Sequence, residues 1–296
     1  MSTLVPPLFE GLVDDASTVP FGGPSVAEAV AVHRTHRDAW YAAFVGPMLV
    51  PASAVVELAR VVEPAAAGPA AADHAGGPLV VGLIGDTGIP ALPAALARVR
   101  TSGAVVRQIE VAVAKRGEDP QPGLARLSAV AADEPDLEVY AEIPLTWGLL
   151  AALDTVAAER AAGARIAPKF RTGGLAAELF PTPVELAAVI CACRDRELPF
   201  KLTAGLHHAL RHTDPETGFA HHGFLNVLVA AAVAVDGAEV ADVAEVLGAT
   251  HPLPLVEPAR ARRAERRPLW LGFGASAVLD PLTDLLKFGL INGGAE

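Results

Sequence analysis

Short apolar segments alternate with longer amphipathic ones along the whole chain. Runs rich in branched and aromatic residues, each closed by Gly, Pro or Asp, fall at 11–15, 44–50, 79–85, 105–114, 137–143, 164–171, 199–204 and 269–274. Such runs predict strands. Helical spacing fills the intervals at 25–43, 52–62, 90–101, 122–132, 146–162, 182–196, 222–235 and 281–290, with a further helix at 240–247. Thr182-Pro183 followed by Glu185 supplies an N-cap, a first-turn proline and an early acid, and Asp280-Pro281 repeats the device. Eight strand–helix units predict one α/β domain over residues 1–296, a parallel eight-stranded (β/α)8 TIM barrel, with an open doubly wound sheet as the alternative. The Ala/Pro/Gly-rich stretch 64–78 lies between a helix and the next strand and reads as a surface loop. The basic stretch 258–268, flanked by Pro258 and Pro268, reads as another.

Parity within the strands separates two faces, because successive side chains point to opposite sides. In 105–114, Ile109, Val111 and Val113 oppose Glu110 and Ala112. In 137–143, Val139, Ala141 and Ile143 oppose Glu138, Tyr140 and Glu142. In 164–171, Ile166, Pro168 and Phe170 oppose Lys169 and Arg171, and in 199–204, Phe200 and Leu202 oppose Lys201 and Thr203. The apolar parity must meet the helices, so Glu110, Glu142, Lys169, Arg171 and Lys201 are expected inside the barrel. Most stand near the C-terminal strand ends, where barrel active sites sit. Buried charges must pair, bind a ligand or titrate. A closed network of ion pairs is one reading. A reactive site is the other, since a second ammonium and burial both lower a lysine pKa and free its amine to attack a carbonyl.

Composition narrows the classes. The net charge of −11 argues against a nucleic-acid partner, which needs a clustered positive surface. No apolar run approaches the roughly 18 residues of a membrane span, and no basic segment precedes an apolar one at the N-terminus, so the cytoplasm is expected. Cys191 and Cys193 are the two cysteines; at i, i+2 on a helix they face different ways and suggest neither disulfide nor zinc site.

Several short motifs occur in a fixed order. They are Ile109-Glu110-Val111, the strand Val139–Glu142, Lys169-Phe-Arg-Thr172-Gly173, Thr182-Pro-Val-Glu185, Phe200-Lys201 with Gly205, and Phe273-Gly274-Ala-Ser276. Together they cover the C-terminal two-thirds of the chain. In that order they resemble the class I aldolases of the 2-deoxyribose-5-phosphate aldolase type. The resemblance implies a Schiff-base lysine at Lys169, a second lysine at Lys201 that tunes it, and Glu110 in place of that family's proton-relaying aspartate. It implies no cofactor. The chain departs from the family pattern at Glu110, one methylene longer, at Arg171 beside the lysine, at Gly174, and at Ala204-Gly205.

Other candidates cluster near the same end. His207, His208, His212, His221 and His222 follow the seventh strand, on a loop that also carries Arg211, Asp214 and Glu216. The cluster suggests metal binding, anion binding or plain loop roles, although none of the usual zinc spacings occurs. Asp14 and Asp15 close the first strand; Asp86 and Thr87 follow the third. Gly272-Phe-Gly274-Ala-Ser276, ahead of Asp280-Pro281, reads either as a cradle for an anion or as a close-packed turn. Three functions follow as expectations. The first is a lyase in which Lys169 forms a Schiff base with a small aldehyde or ketone, Lys201 lowers its pKa, and Glu110 or Glu142 carries the proton. Asp14, Asp15, Arg171, Thr172, Gly173, Thr203, Gly205, His207, His208, Gly274 and Ser276 would then contact a small carbonyl or phosphorylated substrate. The second is a metal-dependent hydrolase or lyase using the 207–222 loop, and the third a non-catalytic ligand-binding barrel. No membrane or nucleic-acid partner is expected, and a homo-oligomer is compatible with all three.

Overall fold

In the computed structural model, which describes residues 4–19, 23–66 and 77–293, every predicted strand forms. These are β1 (Val13–Asp15), β2 (Val45–Pro51), β3 (Val80–Ile84), β4 (Val105–Ala112), β5 (Glu138–Glu142), β6 (Ile166–Arg171), β7 (Phe200–Thr203) and β10 (Trp270–Ala275). All eight run parallel and close into a barrel in the order β1-β10-β7-β6-β5-β4-β3-β2. The helices α1 (Val26–Asp38), α2 (Val55–Ala66), α3 (Leu92–Thr101), α4 (Gln121–Asp133), α5 (Leu149–Ala161), α6 (Pro183–Arg194), α7 (Phe224–Val235) and α10 (Leu279–Lys287) follow the strands in turn. The chain is therefore a (β/α)8 barrel, and the open sheet is excluded by its closure. Among the described residues no helix is long and apolar enough to cross a membrane.

Capping fixes the helix starts as the sequence implied. Ser25 and Thr182 each accept from the backbone N–H three residues on, while Glu28 and Glu185 reach back to the cap. The main core lies between strands and helices. There Trp270 stacks on Phe273 at 5.7 Å and Phe273 on Phe224 at 6.0 Å. Full burial of each such side chain stabilises the fold by about 1.5–3 kcal/mol.

Helix α8 (Val240–Gly248) packs against both α6 and α7. This explains why α7 is apolar on nearly every side: the barrel covers one face and α8 another. Asn226, fully buried on α7, secures the arrangement. Its amide donates to the carbonyls of Val246 and Ala249 at 2.9 and 2.7 Å, and its Oδ1 accepts from the Arg211 N–H at 2.9 Å. One side chain thus ties together three chain segments.

Two expected surface loops need correction. Residues 64–66 complete α2 rather than starting a loop, Gly77 and Pro78 are exposed, and 67–76 lie outside the described residues. In the basic stretch, Pro258 falls within a further helix, α9 (Leu253–Ala261). The buried positions Leu255, Val256 and Ala259 supply its inner face, and in so short a helix an internal proline forfeits a single hydrogen bond. Nor is Arg267 solvated. It donates to the carbonyls of Leu8, Trp270 and Leu271 at 2.7–2.8 Å, joining the N-terminal segment to β10. Burial pulls its pKa down to about 10. The 207–222 segment adds a two-stranded hairpin, β8 (His212–Thr213) with β9 (Ala220–His221), which the sequence pattern did not suggest.

Candidate active site

The charged parity does face inward, and its members join end to end. Lys169 on β6 pairs in register with Glu142 on β5 and Lys201 on β7. Glu110 on β4 lies across from both lysines. Its Oε2 accepts from Lys169 Nζ at 2.7 Å and its Oε1 from Lys201 Nζ. Lys169 also stands 3.1 Å from Glu142, whose other oxygen accepts from Arg171 Nε at 3.0 Å. At the opposite end Lys201 donates to Asp14 on β1. The result is a ladder, Asp14–Lys201–Glu110–Lys169–Glu142–Arg171, of three carboxylates and three cations.

Two neighbours complete it. Gln108, two residues before Glu110 and therefore on the same face, donates to Asp14 at 2.6 Å and to Glu110 at 2.9 Å. Tyr140 presents its ring to Lys201, with Nζ 4.6 Å from the centroid. Burial pushes the Tyr140 hydroxyl pKa up to about 12. Sequence reasoning passed over Gln108, although its parity with Glu110 was visible. Glycines make room for these side chains. A Cβ at Gly82 would strike Leu49 and Gln108, and one at Gly46 would strike the Asp14 carboxylate.

The ionisation pattern corrects one expectation. Lys169 and Lys201 are each only 3% exposed. Burial alone would pull the Lys169 pKa down, but Glu110 and Glu142 outweigh it and Lys201 together, and the value rises. Lys201 also rises, because Asp14 and Glu110 overcome its burial. The second lysine therefore does not leave Lys169 as a free amine; the two carboxylates hold it as an ammonium. Burial opposes ionisation of Glu110 too, yet the two lysines hold its pKa at about 2. Lys169 and Arg171 likewise lower Glu142 against its burial. In Asp14 the balance reverses: burial prevails over Lys201 and the pKa rises, making it the ladder carboxylate readiest to take a proton.

The remaining candidates separate from the ladder. Asp15 turns to the helix layer, where it meets His33 of α1 at 3.0 Å and accepts from Ser17 N–H. His33 and Ser17 outweigh burial and lower its pKa. Thr172 is buried and donates to the Ala204 carbonyl at 2.6 Å. A Cβ on Gly173 would lie 3.1 Å from Gly205, and Gly205 itself has φ +80°. Thr172, Gly173 and Gly205 thus close the β6 and β7 loops against each other. Thr203 pairs in register with Gly274 at the mouth, and Ser276 is exposed beyond it. Asp86 accepts from Ser53 N–H at 3.1 Å and bridges the loops after β2 and β3.

The histidines stack rather than converge. His212 sits edge-on to His208 at 4.9 Å and flat against His221 at 5.2 Å. His208 approaches Asp284 at 3.5 Å. His222 is buried 2.8 Å from the Pro181 carbonyl, and burial takes its pKa down to about 4. His207 is likewise shifted down by burial. Among the described residues no group of three His, Cys, Asp or Glu side chains is arranged to hold a metal ion, so the metal-hydrolase reading finds no donor set in this loop.

Two cavities approach the ladder from opposite ends of the barrel. At the C-terminal mouth, a cavity of 140 Å³ between the loops after β4, β5 and β6 touches Glu142 and Arg171. At the N-terminal end, a cavity of 580 Å³ reaches Asp14, Gln108, Tyr140 and Lys201. The chain matches no protein-family model and no curated protein.

Proposed function

We propose that the chain is an aldolase-like lyase that binds a small aldehyde or ketone at the C-terminal mouth and forms a Schiff base through Lys169. The observation that carries this reading is the carboxylate shared between two lysines. Glu110 gives one oxygen to Lys169 and the other to Lys201, so a proton leaving either amine has an acceptor already in hydrogen-bond contact. Deprotonated Lys169 adds to the carbonyl carbon, and the carbinolamine loses water to give an iminium. As Glu110 or Glu142 takes the proton of a β-hydroxyl, the bond between the α and β carbons breaks and its electron pair passes to the iminium, giving an enamine. An aldehyde departs, the enamine is protonated at carbon, and water hydrolyses the iminium to return the lysine. Arg171, exposed at the mouth and held by Glu142, is placed to meet an anionic substituent on the substrate.

A second reading has its own observation. All six ladder charges are paired and sum to zero, and Lys169 is held as an ammonium, as in a ligand-binding barrel that performs no turnover. Sodium borohydride trapping with a panel of small aldehydes and ketones separates the two. Wild-type protein should gain the mass of one reduced adduct. Lys169→Arg, which keeps the cation but cannot form the imine, should gain none there. Absence of any adduct across the panel, in protein shown to be folded, favours the non-catalytic barrel.

A further inference from the structure

The N-terminal end of a TIM barrel is ordinarily the stabilising face, yet here it holds a cavity of 580 Å³, within the size range of small-molecule sites. Four arginines line it: Arg34 and Arg37 from the last turns of α1, Arg107 from β4, and Arg160 from the end of α5. None of the four forms an ion pair with a carboxylate among the described residues. Arg37 donates to the carbonyls of Ala42 and Val45, and Arg160 to that of Ile166, which orients each guanidinium and leaves further N–H groups unused. Arg34 and Arg107 have no partner among the described residues, although Arg34 is half-buried. The other charged groups of the lining are mostly engaged. Lys201 pairs with Asp14, His33 with Asp15, and Glu138 with Arg165, leaving Asp38 as the counter-charge. Four unneutralised guanidiniums around one cavity, in a chain of net charge −11, form an unusual local excess of positive charge.

A second observation comes from the strands. The barrel register shifts at three places, and each inserts residues that line this cavity. In β2 the extra residue falls at Gly46–Pro47, in β4 at Arg107, and in β10 at Leu271. Bulges re-aim side chains and gather beside functional sites. Arg107 is exposed, lies at the β4 register shift and lines the cavity.

We propose that this cavity is a second binding site, for a small multivalent oxyanion: a molecule bearing phosphate groups or several carboxylates. Planar guanidiniums match such oxygens through paired N–H groups, and Gln108 and Lys201 at the inner end offer further donors. The inference is independent of the Schiff-base reading and concerns the opposite end of the barrel.

Isothermal titration calorimetry with pyrophosphate and with citrate as probes, and glucose as the neutral control, tests it on the full chain. Wild type should bind at least one anion, more weakly as salt rises, and should not bind glucose. The double variant Arg34→Ser/Arg107→Ser should lose roughly tenfold or more in affinity with an unchanged circular-dichroism spectrum. Each single variant should lose less, and Arg126→Ser, on the exposed face of α4 and outside the cavity lining, should bind as wild type. No anion binding by wild type, equal affinity in the double variant, or loss of binding on Arg126→Ser alone would overturn the proposal. A preference for pyrophosphate over citrate would identify the ligand as a phosphate compound, and the reverse as a polycarboxylate.

Discussion

At the scale of single residues, Lys169 owes its state to two carboxylates acting against burial and against the second lysine. Removing Glu142's charge while keeping its shape should shift that balance toward the free amine. Glu142→Gln is therefore expected to speed borohydride trapping several-fold at pH 7.5, followed by intact mass over time. Wild-type trapping should itself accelerate with pH throughout the neutral and mildly alkaline range, since the Lys169 pKa lies above its ordinary value. Slower trapping in Glu142→Gln would instead make that carboxylate a necessary proton carrier. Much of this site was legible in strand parity, because charged residues confined to one parity of four neighbouring strands have few places to go. Parity could not rank Asp14 against Asp15. Successive residues of one short strand must take opposite faces, and only the barrel's closure decides that Asp14 meets Lys201 while Asp15 meets His33.

At the scale of elements, the eight strand–helix units could be read from periodicity because each strand is apolar where it meets a helix. What periodicity could not supply were features set by contacts distant in sequence. Pro258 reads as the edge of a surface loop, yet α9 accommodates it because Leu255, Val256 and Ala259 have a buried face to fill. The β8–β9 hairpin carries no alternating apolar pattern; its four residues are half-buried or exposed. Asn226 gives no sequence signal either, standing as one amide within an apolar run, but it closes the end of α8 and holds Arg211 just ahead of the hairpin. Asn226→Ala should cost about 2 kcal/mol, since buried carbonyls and an N–H lose their partner. Urea unfolding checks this, and a change below about 0.5 kcal/mol, the scatter of inconsequential substitutions, would deny the residue that role.

For the whole molecule, a charge-neutral ladder inside the barrel makes stability depend on pH in a definite sense. Glu110 has a folded pKa of about 2, against about 4.3 in an unfolded chain. Its contribution is complete above the unfolded value and disappears as pH falls through that window. Lys169 and Lys201, both raised, contribute fully below the unfolded lysine value and lose that contribution as pH climbs through their folded values. Asp14, also raised, works against Glu110 in acid, because its stabilising protonated form fades as pH rises past the unfolded aspartate value. The urea midpoint should hold steady above about pH 6.5 and decline between about pH 6.5 and pH 4, as the unfolded chain protonates the His222 imidazole that the fold keeps neutral. It should drop further between about pH 4 and pH 2, where the Glu110 window lies. A midpoint unchanged down to pH 2 would mean that the ladder contributes nothing to the fold. The same ladder runs from the arginine-lined cavity at one end of the barrel to Arg171 at the mouth, so chemistry at Lys169 and stability share the same groups. The claim that this interior is reactive is tested most directly by peptide mapping of borohydride-treated wild-type protein at pH 9 with the carbonyl panel. The account predicts a single reduced adduct on the peptide containing Lys169; adducts confined to exposed Lys115 or Lys287, or none, would contradict it.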